Sequence, residues 1–365
     1  MTNKKIPIAE PLMSGKEKEY VLDCINKNWI SSKGDYVRKF EDEFSKYCNV
    51  KHAVSTTSGT TALHLCLESL GIKHSDEVIM PSFTMAATVF SIIYSGAKPI
   101  FIDSEPITWN LDVEKLEGMI TDKTKAIIVV HTYGHPADMD PINDLAEDYE
   151  LHVIEDAAEA HGAEYKGQKT GSLGDVACFS FYANKIITTG EGGMIITDNE
   201  EIAENARMLG DMAFIKEKRF FHPKIGFNYR MTNLQAAVGL AQLENIGKLI
   251  EIRRKNAQFY NSLLKDIEGL TLPPELNHVK NVYWMYSVLV TSKFKISRDN
   301  LMDKLAKYGI ETRNFFIPMH KQPIFPHISG KYPVAENLSD SGINLPSGAT
   351  LQKDEIRYIV NKILE

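Results

Sequence analysis

The sequence predicts an α/β fold in which helices cover both faces of a sheet, followed by a smaller α+β part. Residues 53 to 198 alternate short β-rich runs with helical ones, each bounded by Gly, Pro or Asp, which is the pattern of an α/β layer. Several of those runs are apolar at successive positions, as strands covered on both faces must be. At 365 residues the chain can bury one large core or two unequal ones, and the two-domain arrangement fits.

In chain order the strand candidates are "AVSTTS", "EVIMPS", "KPIFID", "KAIIVVH", "HVIEDAA", "ACFSFY" and "GGMIITD". Between the first two, "TTALHLCLESLG" carries Ala62, Leu63, Leu65, Cys66 and Leu70 at helical spacing and stops at Gly71. The stretch from "MTNLQAAVGLAQLE" to "NSLLKDI" reads as helix, with Gly247 as a break between two helices. The domain boundary is placed there: residues 1–247 form a large domain and residues 248–365 a small C-terminal one. The small domain is assembled from "VYWMYSVLVT", a helix across "RDNLMDKLAKYG", the proline-spaced "IPMHKQPIFPH" and a final helix.

Composition narrows the function. Lys and Arg number 41 against 48 Asp and Glu, a net charge of -7, and no basic run is interleaved with aromatics, which argues against a nucleic-acid partner. No run approaches the ~18 apolar residues of a membrane span, and the start lacks the apolar segment of a secretion signal, so the expected location is the cytoplasm. Cys24, Cys48, Cys66 and Cys178 are far apart, without metal-ligand spacing, and read as buried thiols in a reducing compartment. His131 and His135 in "HTYGH" are four apart, but Gly134 and Pro136 make that segment a loop rather than a zinc-binding helix, and no metal site is expected.

One lysine stands out. Lys185 lies in "SFYANKIITTGEGG", between a β-like run and a turn of threonines and glycines. A lysine on a rigid element beside such a turn suits covalent chemistry with a carbonyl, and the cofactor that uses one is pyridoxal 5'-phosphate. That cofactor needs a carboxylate for its ring nitrogen, and Asp156 ends an apolar strand, where ligand-facing groups of α/β sheets lie. It also needs a phosphate cradle. "TSGTTALHL" supplies Ser58, Gly59, Thr60 and Thr61 at a helix N-terminus, and Ser180 adds a hydroxyl. Taken singly, each element has a plainer reading as a solvated lysine, a helix-capping Asp or an ordinary N-cap. The three in this order point to pyridoxal phosphate.

The segments "TSGTTALHL", "EDAAEAHGA", "FSFYANKIITTGEGGMIITD" and "GFNYRMTNLQAAVGLAQLE" resemble the DegT/DnrJ/EryC1/StrS family of pyridoxal phosphate-dependent sugar aminotransferases, nearly end to end. The resemblance implies the aspartate aminotransferase type of fold (fold type I), with a mixed sheet flanked by helices, and a homodimer with active sites shared between subunits. It matches Lys185 to the Schiff-base lysine, Asp156 to the pyridine-nitrogen partner, and Gly59, Thr60 and Ser180 to phosphate ligands. Asn228 matches the residue that reaches the neighbouring subunit's phosphate, and Glu159 the polar residue near the ring hydroxyl. Many relatives stack an aromatic on the cofactor ring where this chain has Met85. Alternating strand geometry would point Phe83 and Met85 the same way, so that Met85 covers the ring with its thioether, unless it is simply a core residue.

"WISSKGDYVRKFEDEF", "HTYGHPADMDPI", "GIETRNFFIPMH" and "GINLPS" further resemble the branch of the family that aminates C4 of GDP-linked 4-keto-6-deoxymannose to GDP-perosamine, for polysaccharide or O-antigen biosynthesis. L-glutamate is the implied amino donor. "MLGDMAFIKEKRFFHPKIGFNYR" departs from that branch, with Asp211 and the pair Phe220 and Phe221 in place of a Gly-Gln-Gly turn and a Tyr-Trp pair. A dTDP-linked, UDP-linked or nucleotide-free keto sugar is therefore the competing substrate. His161 is a candidate substrate-side acid or base, or else a packed histidine. Arg313 and His320 flank "NFFIP", where a donor carboxylate or a nucleotide phosphate would dock. Deoxygenation of a sugar and a non-catalytic regulatory or scaffolding role are the other readings.

Overall fold

The computed structural model describes residues 5–215, 218, 220–326, 328 and 330–365. All the strands expected from the sequence between residues 53 and 198 are present: β1 (His52–Thr56), β2 (Glu77–Pro81), β3 (Lys98–Ile102), β4 (Thr124–Val130), β5 (His152–Asp156), β6 (Val176–Ser180) and β7 (Gly193–Thr197). They form one seven-stranded sheet in the order β1-β7-β6-β5-β4-β2-β3. The sheet is mixed because β7 runs antiparallel to both β1 and β6, while the remaining neighbours are parallel. The C-terminal ends of β1, β2, β4, β5 and β6 therefore share one edge, and Ser58, Asp156, Ser180 and Lys185 lie at or just past it.

Both faces of the sheet are buried, for the reason the apolar runs suggested. Along β4, Ala126 and Ile128 join the core with α1 (Glu17–Asn26), α2 (Asp35–Cys48), α3 (Gly59–Ser69) and α6 (Glu200–Gly210), whereas Ile127 and Val129 join Met139, Ile142 and Ala146 of α5 (Met139–Asp148) on the opposite side. Each Ile, Val or Met among them, fully buried, contributes about 1.5–3 kcal/mol of transfer free energy. Among the described residues no helix is long and apolar enough to cross a membrane.

The C-terminal part has its own four-stranded sheet, built from Leu270–Thr271, Tyr286–Val290, Gly342–Leu345 and Arg313–Asn314 in that order. α8 (Ile246–Leu264), α9 (Arg298–Lys307) and α11 (Lys353–Leu364) pack on it around the stacked rings of Tyr260 and Tyr286, whose centroids are 4.3 Å apart. Ile6, near the opposite end of the chain, bridges to Ile310 and belongs to this second core. The helix break expected at Gly247 falls earlier. α7 (Asn233–Leu243) stops before Glu244 and Asn245, and Gly247 lies inside the first turn of α8.

The two parts are tied by buried polar contacts. Asp103, just past β3, accepts the N–H groups of Val334 (3.3 Å) and Ala335 (2.9 Å) at the start of α10 (Pro333–Ser341). Ser82, just past β2, bonds the His320 ring through its hydroxyl at 2.7 Å and accepts the Met319 N–H on its carbonyl at 2.8 Å.

Candidate active site

The cradle is shaped by residues with little or no side chain. Ser58 is the extended N-cap of α3, accepting the Thr61 N–H at 3.2 Å while the Thr61 hydroxyl accepts the Ser58 N–H at 3.0 Å, a reciprocal capping box. A Cβ on Gly59 would lie 2.7 Å from Ser180 Cβ, and one on Gly193 only 2.3 Å from the Ser58 carbonyl oxygen. Glycine at both positions lets the α3 N-terminus sit directly on the ends of β6 and β7. Gly59 and Thr60 are in the first turn, where N–H groups have no intrahelical acceptor, and the Ser58 and Ser180 hydroxyls border the same spot. Such a helix terminus favours an anion.

Lys185 follows β6 on a tight turn. Its N–H donates to the Tyr182 carbonyl at 2.9 Å, and the Thr188 hydroxyl closes the turn on the Phe181 carbonyl at 2.8 Å. The side chain is 11% exposed, with Nζ 3.8 Å from Glu159 Oε1 and 3.7 Å from the centre of the Trp284 ring. Burial lowers the pKa of this amine, the charge of Arg313 lowers it further, and Glu159 and Asp156 oppose the shift. Glu159 is itself buried, and burial pushes its carboxyl up to about 7 against the pull of Lys185 and of the Tyr133 N–H it accepts at 2.8 Å. A desolvated amine and a desolvated carboxyl thus share a small enclosed space.

Adjacent carboxylates on β5 point to opposite faces, as strand alternation requires. Glu155 faces away from the site. It accepts the N–H groups of Gly171, Leu173 and Gly174 at 2.7–2.9 Å, and meets His131 Nε2 at 2.9 Å. Because Ala137 N–H donates to His131 Nδ1, the ring proton is on Nε2 and goes to Glu155. Asp156 faces the cradle side and accepts from Thr88 Oγ1 at 2.8 Å.

The other residues singled out from the sequence are distributed as follows. β2 ends at Pro81, so strand alternation does not carry on to Met85. Phe83 is buried against Tyr133, Phe315 and Phe316, while Met85, the N-cap of α4 (Ala86–Tyr94), is 56% exposed. Asn228 is exposed on a bridge to Asp211, which is paired with Arg230 and Lys33. Of the divergent segment, Lys216, Glu217 and Arg219 lie outside the described residues. Phe220 and Phe221 are both exposed.

His161 is wholly buried against Phe179 and Phe181. Burial, helped by the Lys185 charge, takes its pKa down to about 3, so it is a neutral packed ring. Arg313 is half exposed, with its charge felt at Lys185. His320 bridges Ser82 and Glu336 and stacks on Tyr332.

Sequence reasoning missed Trp284 and Thr88. Within "VYWMYSVLVT" the strand begins only at Tyr286. Before it, Val282 and Trp284 donate their N–H groups to Gly134 and Tyr133, which brings the indole under Lys185, where its Nε1–H donates to the Asn184 carbonyl at 2.9 Å. The sequence clue for Trp284 was a large aromatic in a segment already filled by apolar residues. For Thr88 there was none.

The sequence model of the DegT/DnrJ/EryC1/StrS aminotransferase family matches residues 11–364. The chain is 45% identical to GDP-perosamine synthase of Caulobacter vibrioides, over 98% of this chain and 96% of that one. It is also 45% identical to GDP-perosamine synthase of Escherichia coli O157:H7, over 99% and 98%. Among solved structures it superposes on Helicobacter pylori PseC, an aminotransferase involved in the biosynthesis of pseudoaminic acid, with a TM-score of 0.93 at 28% identity, covering 99% and 98% of the two chains. The chain belongs to the DegT/DnrJ/EryC1/StrS aminotransferase family, and it is a fold type I, pyridoxal 5'-phosphate-dependent sugar aminotransferase.

The residues present fit that cofactor. The close approach of Gly59 to Ser180 leaves backbone N–H groups and hydroxyls, not bulk, where a phosphate would sit. The nearly buried amine of Lys185 and the Asp156 carboxylate flank the space where the ring would lie.

Proposed function

We propose that the protein moves an amino group from L-glutamate to C4 of GDP-4-keto-6-deoxymannose, forming GDP-perosamine for polysaccharide or O-antigen assembly in the cytoplasm. The observation that carries the reading of the site is Lys185. Its amine is desolvated, so a larger share is free base at neutral pH, and it lies 3.8 Å from the Glu159 carboxylate and within the field of Asp156. Likeness to the two GDP-perosamine synthases over almost the whole chain supports the substrate.

When bound, pyridoxal phosphate supplies an aldehyde that exchanges amino groups and a ring that draws electrons from the reacting carbon. Lys185 Nζ would hold the cofactor through that aldehyde and, when free, is the group placed to take and return the substrate proton. Asp156 would hold the ring nitrogen, Glu159 would lie near the ring hydroxyl, and Met85 would cover one ring face. Ser58, Gly59, Thr60 and Ser180 would hold the phosphate, and in a homodimer Asn228 would reach the phosphate of the neighbouring subunit. Residues 1–247 are the cofactor-binding domain, and the small domain, residues 248–365, brings Arg313 to the site to receive a carboxylate or phosphate. His320 braces that segment from behind.

The test combines labelling with a substrate panel. Borohydride reduction of the holoenzyme followed by peptide mapping places the cofactor on Lys185, and Lys185→Ala abolishes transamination while still binding the cofactor through its phosphate. With glutamate as donor, 2-oxoglutarate release is followed for GDP-, dTDP- and UDP-linked 4-keto-6-deoxy sugars and for a nucleotide-free keto sugar. Strong turnover of the GDP compound alone is the expected result. A label on another lysine sinks the site, and preference for another sugar sinks the substrate only.

A further inference from the structure

Asp156 is held by more than one donor. Thr88 Oγ1 donates to Oδ2 at 2.8 Å, and Oδ1 receives the Cys178 thiol at 3.6 Å and the Ala158 N–H at 3.3 Å. A carboxylate accepts only, and a hydroxyl has a single proton to give. Thr88 spends its proton on Asp156, so in the 3.1 Å contact between the Thr84 and Thr88 hydroxyls the donor is Thr84. The chain of bonds therefore has one direction, from Thr84 through Thr88 to Asp156. Thr84, Thr88, Asp156 and Cys178 are all buried, at 1%, 0%, 5% and 0% exposure, so bulk water does not replace a missing donor.

The donors are unequal. A thiol is a weak donor and the Ala158 contact is long, which leaves the Thr88 hydroxyl as the strong one. It is also the rigid one, because β-branching limits threonine to few rotamers on a helix. Thr88 lies in the first turn of α4, three residues after its N-cap Met85, so a single helix start supplies both the residue assigned to the ring face and the donor to the ring-nitrogen partner.

We propose that Thr88, supported by Thr84, is a positioning residue of the transamination: it fixes the rotation of the Asp156 carboxylate so that a free lobe of that group is presented to the ring nitrogen. This rests on the assignment of Asp156 made above, and the experiment separates the two. Thr88→Val removes the hydroxyl at nearly constant shape, Thr88→Ser keeps it, and Asp156→Asn is run in parallel.

Removing the partner that orients a metal-ligating side chain typically costs ~10–100-fold, and by analogy a loss of that size in kcat is expected for Thr88→Val, with KM for the keto sugar little changed. The pH titration of the cofactor's absorption band shifts, affinity of the cofactor-free protein for pyridoxal phosphate falls, its melting temperature is nearly kept, and Thr88→Ser restores most of each loss. Unchanged kcat and absorption in Thr88→Val, or a Thr88→Ser variant as impaired as Thr88→Val, overturns the proposal. If Asp156→Asn also turns over normally, the parent assignment has failed; if only Asp156→Asn is impaired, this inference alone has. Should Thr88→Val not fold, Thr84→Val takes its place, with a smaller loss in the same direction expected and normal behaviour overturning the proposal.

Discussion

Glu159 has its charge set by what surrounds it. Burial raises its carboxyl from 4.5 to about 7, while Lys185 and the Tyr133 N–H pull the other way. Below pH 4.5 the group is neutral folded or unfolded and costs nothing. As pH rises toward 7 the unfolded chain ionises it before the folded protein does, so stability is lost across that window. Glu159→Gln removes this dependence. In thermal melts of the cofactor-free protein, the variant should gain on the wild type between pH 5 and pH 8, and a gap that is constant with pH would mean that Glu159 is not desolvated. Lys185, Asp156 and Ser58 were legible from the sequence because a cradle, a strand-end carboxylate and a lysine occur in a telling order. Thr88 was not, because its partner is 68 residues away and only the pairing of strands brings the two together. Trp284 escaped for a related reason: the Tyr133 and Gly134 carbonyls, remote in sequence, hold its segment out of the strand.

Strands were read more securely than helix ends. The runs from "AVSTTS" to "GGMIITD" all became strands of one sheet, since apolar residues on both faces leave no other covered arrangement. Gly247 was read as a breaker, but glycine early in a helix costs little where N–H groups are unpaired in any case. The turn at Glu244 and Asn245 makes the break instead. Two glycines therefore respond oppositely to alanine. Gly247 is exposed with open space around its missing Cβ, so Gly247→Ala should stabilise by about 0.4–1 kcal/mol. Gly59→Ala drives a methyl to 2.7 Å from Ser180 Cβ and pushes α3 off the sheet edge. Overpacking of this kind costs about 1–3 kcal/mol, and cofactor affinity should fall by roughly tenfold for each 1.4 kcal/mol that the distorted cradle loses. Equal melting temperatures and cofactor affinities for Gly59→Ala and wild type would show that the cradle is loose.

The assembly of the chain into one machine was the least legible part. Asp103 caps a helix more than two hundred residues later, and nothing near it in sequence says so. Ser82 and His320 make a second such tie, and together they hold the segment that carries Arg313. Asn228 is different: it is exposed, on a bridge to Asp211, and the proposal gives it a role at the phosphate of another subunit. If each site takes Lys185 from one protomer and Asn228 from its partner, damage to the two residues is separable by symmetry. Lys185→Ala homodimers are inactive and Asn228→Ala homodimers bind the cofactor poorly. In a mixed dimer both defects fall in one site and the other site is intact. Random pairing of equal amounts makes half the dimers mixed, so co-expression should recover roughly a quarter of wild-type activity per protomer. Differently tagged subunits let the mixed dimer be isolated, and its activity per dimer should be about half that of the wild type. A purified mixed dimer no more active than the two parents would place Asn228 outside the site and leave each protomer to build its own.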